Sequence, residues 1–229
     1  MHPLLLTLAI LPGILISIGI FWVDKYEREA VVPLVVCFVL GALATWPAVQ
    51  VEIVTFQQLG PHRHQAWATF LLAFAAISCN EELWKGIVLM IAAFPYRFFN
   101  EPLDGVVYAV LVAMGFATME NILYAYRFGF DTIIVRAFTA VPAHLVFAVV
   151  IGYFAGLAKF NPSRRSLLLA QGFGLAVLLH GAYDVLIIQR WSDWLLVLAT
   201  LSLYLSLFFC SRLIQIHLQN SPFRQPNAE

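Results

Sequence analysis

Residues 3–23 read PLLLTLAILPGILISIGIFWV, with no charged side chain among them. A helix crossing the hydrocarbon core of a bilayer needs about 20 mostly apolar residues, because that core is about 30 Å thick. This stretch meets the requirement. Its N-terminal flank, Met1-His2, holds no Lys or Arg, and its end, Phe21-Trp22-Val23, offers no small-residue exit. A cleaved signal peptide wants a basic start and a small-residue cleavage site, so the run reads as a retained transmembrane helix.

Working outward, the polar stretch Asp24-Lys25-Tyr26-Glu27-Arg28-Glu29 leads to a second run at about 31–54. A loop at 57–64 carries the turn signal Gly60-Pro61. Residues 65–94 form a third run, interrupted chemically by Asn80-Glu81-Glu82 and Lys85. At 1.5 Å per residue it would be about 45 Å long if straight, so it is either one tilted helix or two segments. One helix is the expectation. Further runs lie at about 103–126, 133–159, 166–189 and 194–213. The expected fold is all-α, a polytopic bundle of about seven transmembrane helices, with eight as the alternative. Residues 1–229 read as a single integral membrane domain.

The composition agrees. Of 229 residues, 62% are hydrophobic and 11% charged, with a mean hydropathy of +0.84; soluble domains carry about 25% charged residues. Thirteen Lys+Arg balance thirteen Asp+Glu, which leaves no basic surplus for nucleic acid. Cys37, Cys79 and Cys210 are odd in number and lack metal-site spacing. They read as small buried residues. With seven crossings, Arg63, Arg127, Arg136 and Arg190 fall on the N-terminal side. Lys25, Arg28, Arg97, Lys159, Arg164, Arg165, Arg212 and Arg224 fall on the other. The excess puts the C-terminus in the cytoplasm and the N-terminus outside.

Against this background four polar groups stand out within the spans: Glu81-Glu82-x-x-Lys85, Glu120-Asn121, His144 and His180-x-x-x-Asp184. A charge at a helix centre costs about 2.5–3.5 kcal/mol on insertion scales. Each group has a structural explanation. Glu81 and Lys85 can pair at i,i+4, which leaves Glu82 about 100° round the helix. Glu120-Asn121 can be interhelical glue, His144 a packing residue, and His180–Asp184 an imidazole oriented by a carboxylate. Together they would be costly as decoration. Adjacent carboxylates in a low dielectric cannot both ionise cheaply, so the pair can supply a base that takes a proton from water. A histidine can then donate to the oxyanion of a tetrahedral intermediate. Glu120, His144 and His180 are also plausible zinc ligands. The sequence has no H-E-x-x-H and no G-x-S, and Gly172-Phe173-Gly174 is followed by Leu175 where an aspartate would mark an aspartyl protease.

The same residues resemble the PrsW-like intramembrane proteases, of the wider CAAX-protease and bacteriocin-processing superfamily. Glu81-Glu82-Leu83-Trp84-Lys85 is similar to their E-E-x-x-K block. Asp104-Gly105-Val106-Val107-Tyr108 and Gly115-Phe116-Ala117-Thr118-Met119-Glu120-Asn121 follow in order. Arg136, His144 and Gly152-Tyr153-Phe154-Ala155-Gly156 fit a third block, and His180-Gly181-Ala182-Tyr183-Asp184 the last. The motif-bearing core covers about 65–190. One departure is Ala109, where Gly is expected; it bears on helix packing.

The resemblance implies a multi-pass protease of a bacterial inner membrane that cuts single-pass membrane proteins, such as an anti-sigma factor, in regulated proteolysis. It implies Glu81, Glu82, Glu120, His144 and His180 as the catalytic set, supported by Lys85, Asn121, Arg136 and Asp184. A glutamate mechanism without cofactor is favoured, because Lys85 beside the pair disfavours a divalent cation. If zinc is used, Glu120, His144 and His180 are the expected ligands. The rival is a non-catalytic transporter or helix-binding scaffold with a polar interior. Gly152-x-x-x-Gly156 is a close-packing motif consistent with it, but no internal repeat is visible.

Overall fold

Proline, glycine and charge set the helix ends. The computed structural model describes residues 2–224; Met1 of the uncharged flank and residues 225–229 lie outside it. The helices are α1 (Pro3–Val23), α2 (Val31–Leu59), α3 (Ala66–Leu71), α4 (Asn80–Ala92), α5 (Pro102–Phe128), α6 (Phe130–Phe138), α7 (Ala140–Lys159), α8 (Arg165–Ile188) and α9 (Trp194–Gln219). A π-helical stretch, Leu72–Cys79, joins α3 to α4 without a break. No strand occurs among the described residues. Among the described residues, six helical runs are long and apolar enough to cross a membrane. The continuous run from Ala66 to Ala92 makes the seventh, as the sequence reading expects.

Two boundaries differ from that reading. The second helix runs on to Leu59, which places Glu52 about two turns inside its end. The run expected at 133–159 is split at Thr139 into α6 and α7. Pro142 lies in the first turn of α7 and has no N–H to give the Phe138 carbonyl, so the helix cannot run through.

At the centre is α5, buried almost continuously from Leu103 to Thr118. It has no polar face because α1, α2, α4 and α7 surround it. The outer helices turn large apolar side chains outward, among them Leu15, Trp46, Leu201 and Phe209, which suits a lipid surround. Cys37 and Cys210 are buried as expected, whereas Cys79 is partly exposed.

Close approach of α5 and α7 rests on glycines. A Cβ on Gly105 would stand 2.3 Å from the Gly152 carbonyl oxygen, and one on Gly152 would stand 2.4 Å from that of Gly105. In lipid, helices associate through such backbone contact because there is no hydrophobic drive between them. Gly152→Val therefore forces the two central helices apart, at an expected cost above about 3 kcal/mol. The check is thermal melting of the detergent-solubilised protein. A melt within about 2 °C of wild type would show that this contact is dispensable.

The loop between α1 and α2 folds back instead of extending into water. Asp24 and Glu29 are buried, the Tyr108 hydroxyl donates to Glu29 Oε2, and Asp104 Oδ2 accepts from the Asn100 and Glu101 amides at 2.6 and 2.8 Å. Burial, with the charges of Glu101 and Asp104 adding to it, pushes the Asp24 carboxyl up to about 7. Burial also pushes Glu29 up to about 7, against the Tyr108 hydrogen bond.

Candidate active site

The π-helical stretch ends at Cys79, and α4 opens with Asn80-Glu81-Glu82. Asn80 secures this junction: its Nδ2 donates to the carbonyls of Ala48 at 2.9 Å and Ala76 at 3.1 Å. One turn on, Lys85 Nζ reaches Glu81 Oε2 at 3.1 Å and Glu82 Oε1 at 2.6 Å. Positions i+3 and i+4 both adjoin a given residue on a helix. Glu82 is therefore not left unpaired round the helix, as pairing of Lys85 with Glu81 alone would leave it.

The other motif residues converge on this trio from separate helices. From α7, His144 Nδ1 lies 3.2 Å from Lys85 Nζ, and its Nε2 lies 2.7 Å from Glu120 Oε2 on α5. An ammonium only donates, so Nδ1 accepts from Lys85, and Nε2 carries the hydrogen given to Glu120. From α8, His180 Nδ1 lies 2.8 Å from Glu82 Oε1, and its Nε2 is 3.3 Å from Asp184 Oδ2, close but not aligned for a hydrogen bond. Arg136, at the end of α6, donates through Nε to Asn121 Oδ1 at 2.7 Å and through an Nη to Glu120 at 3.3 Å. Asn121 is anchored on the Ala9 carbonyl of α1. All nine residues singled out from the sequence belong to one connected polar group.

Its walls are aromatic and apolar. The Phe147 ring stacks on His180 at 4.4 Å, and Lys85 Nζ lies 4.7 Å from the Phe116 ring centroid. Beside Glu82 and Lys85 is a cavity of about 10 Å³, bordered by Leu89, Ala109, Ala113, Ala148 and Ile151. That is room for about one water. Ala109, the departure from the family pattern, borders the space next to Glu82.

Glu52 of α2 also faces this group. The charges of Glu81, Glu120, Asp184 and His180 bear on it, and its Oε1 is buried without a hydrogen-bond partner. The signal available in the sequence was a carboxylate inside an apolar run. It stands near the end of the expected run and is not among the residues that the sequence singles out.

Donor atoms fall into two groups close enough to share one metal ion: Glu81, Glu120 and His144, and Glu81, Glu82 and His180, each with atoms within 4.8 Å of one another. The zinc trio expected from the sequence, Glu120, His144 and His180, is not one of these groups. His144 and His180 sit on different carboxylates, with ring centroids 5.8 Å apart.

Comparisons with known proteins converge on one family. Residues 29–211 match the family described as PrsW family intramembrane metalloprotease. Protease PrsW of Geobacillus kaustophilus is 33% identical over 193 residues, covering 83% of this chain and 84% of that protein. Protease PrsW of Bacillus subtilis is 31% identical, covering 83% and 85%, and that of Clostridioides difficile is 32% identical, covering 87% of each. No solved structure matches the chain.

Proposed function

Because the chain belongs to the PrsW family of intramembrane proteases, we propose that it cuts single-pass membrane proteins, anti-sigma factors among them, with a water activated by Glu82. The observation that carries this is the meeting of Glu81, Glu82, Glu120, His144 and His180 from four helices beside a water-sized cavity within an apolar bundle. A non-catalytic transporter or scaffold is the reading this displaces.

The reaction follows from the contacts. Glu82 takes a proton from water, and the oxygen adds to the scissile carbonyl carbon. His144, turning its Nε2–H from Glu120 to the new oxyanion, stabilises the tetrahedral intermediate. Arg136 then balances the Glu120 charge that His144 leaves. His180, between Glu82 and Asp184, passes the proton to the leaving nitrogen as the C–N bond breaks. Glu81 holds Lys85 against Glu82 and sets the field at the base.

The family description names a metal, and the donor types here suit zinc. Their arrangement does not. Lys85 gives all three N–H bonds to Glu81, Glu82 and His144. It thus places a positive charge among the donors of both candidate groups, where a divalent ion would be repelled. Purified protein is expected to cleave with well under one zinc per chain and to be indifferent to chelators. About one zinc per chain, with activity lost on chelation and restored by zinc, would reverse the assignment, and the two groups sharing Glu81 would be the ligand sets to test.

In the inner-membrane orientation proposed from the loop charges, α2, α5 and α8 end at the outer face. At 1.5 Å per residue, Glu120 and His180 lie about 12 Å from the outer ends of their helices, and His144 about 6 Å from the start of α7. Water reaches the site by the shorter outer path, so the cut falls in the outer half of the substrate's span or just beyond it. Co-expression with candidate single-pass proteins tagged at both ends, followed by mass spectrometry of the fragments, tests this. Fragments independent of the protease, or a cut near the substrate's cytoplasmic end, would overturn it.

A further inference from the structure

A second set of carboxylates lies on the face where α1, α4, α7 and α9 end, at the opposite end of α5 from Glu120. One oxygen each from Glu27, Glu29 and Asp104 lies within 4.8 Å of the others. That spread is one a single ion can bridge at metal–oxygen distances of about 2.0–2.6 Å. An acidic cluster alone says little, but Asp24 adds an independent sign. It is 0% exposed, neither of its oxygens accepts an aligned hydrogen bond, and the nearby side-chain charges that bear on it are Glu101, Asp104 and Glu27. Glu27 Oε2, Glu29 Oε1 and Asp104 Oδ1 are likewise buried without hydrogen-bond partners.

The cations of the neighbourhood are used elsewhere. Lys25 Nζ lies over the Tyr26 ring, and the Arg28 guanidinium over Phe21 and Trp22. Lys159 Nζ donates to the carbonyls of Phe94 and Tyr96. Among the described residues no ion pair reaches these carboxylates. Buried charge without a partner is strongly unfavourable, and all-oxygen donors select a hard cation.

We propose that Glu27, Glu29 and Asp104, with Asp24 beside them, bind a divalent cation of the calcium or magnesium type that ties the α1–α2 loop to the start of α5. The ion is separate from peptide hydrolysis. Its task is to hold the central helix to the loop on this face.

The test uses the full-length protein in detergent at pH 7.5, stripped with EDTA, with melting followed while Ca²⁺ or Mg²⁺ is titrated to about 10 mM. The expected result is a saturable rise of about 5 °C or more once the cation exceeds its Kd about a hundredfold. Asp24→Asn combined with Glu27→Gln removes two negative charges. That variant is expected to lose the cation response yet melt in EDTA no lower than wild type, because repulsion is relieved. If neither cation raises the wild-type melt, or if the rise persists in the variant, the proposal fails. A melt that responds to pH and not to cation fails it too, since shared protons would then balance the charge.

Discussion

Glu82→Gln lowers cleavage by about 10²–10⁴-fold, the range a general base contributes, while the protein stays inserted and folded. The amide keeps the side chain's volume, and its oxygen can still accept from Lys85 and His180. It cannot take a proton from water. Glu81→Gln is expected to cause a comparable loss by a different route, because it unbalances the ammonium that both carboxylates share at 3.1 and 2.6 Å. The measurement is the fraction of tagged substrate cut at matched protease levels, with melting of the purified variants as the control for folding. Near-normal cleavage by both variants would end the glutamate-base reading.

Lys85→Met has the largest expected effect on stability. The ammonium is 5% exposed and bonds two carboxylates and an imidazole, so its removal leaves Glu81 and Glu82 without their shared cation in an apolar interior. Breaking a buried ion pair by deleting one partner costs about 3–5 kcal/mol, which corresponds to a fall in melting temperature of about 10 °C for a chain of this size. Adding Glu81→Gln to Lys85→Met recovers part of that loss, because one of the stranded charges is gone. Lys85→Arg does not restore the wild type: a guanidinium holds its N–H bonds in one plane, whereas the three acceptors here are placed around a single ammonium nitrogen. A Lys85→Met protein that melts within about 2 °C of wild type would mean that the lysine is not what holds the pair.

The spans were legible because each is long, apolar and bounded by polar residues, and the motif residues because a charge inside such a run needs a reason. Their convergence on one site could not be read from hydropathy, which carries no information about which helices touch. Three features left little trace in the pattern. The break at Thr139 lies inside an apolar run, so only Pro142 hints at it. Glu52 lies near the end of the expected run, and α2 continues past it to Leu59. The stretch Asp24–Glu29 has the composition of a solvated connector, and nothing in its sequence says that it folds back under the start of α5.

The π-helical stretch Leu72–Cys79 bears on how the chain tolerates changes in length. A π turn accommodates more residues than an α turn, so the run from Ala66 to Ala92 carries slack just before its two glutamates. Deleting one residue there would let the slack be taken up as ordinary α-helix. The span would survive with its two halves close to their present facing, whereas the same deletion in a regular α-helix would swing one half by about 100° relative to the other. After the deletion here, Glu81 and Glu82 would stay facing His144 and His180, and hydropathy, helix count and insertion would be almost unchanged. The segment works as a vernier, and single-residue insertions and deletions scanned through it would locate the setting at which the two halves of the site align.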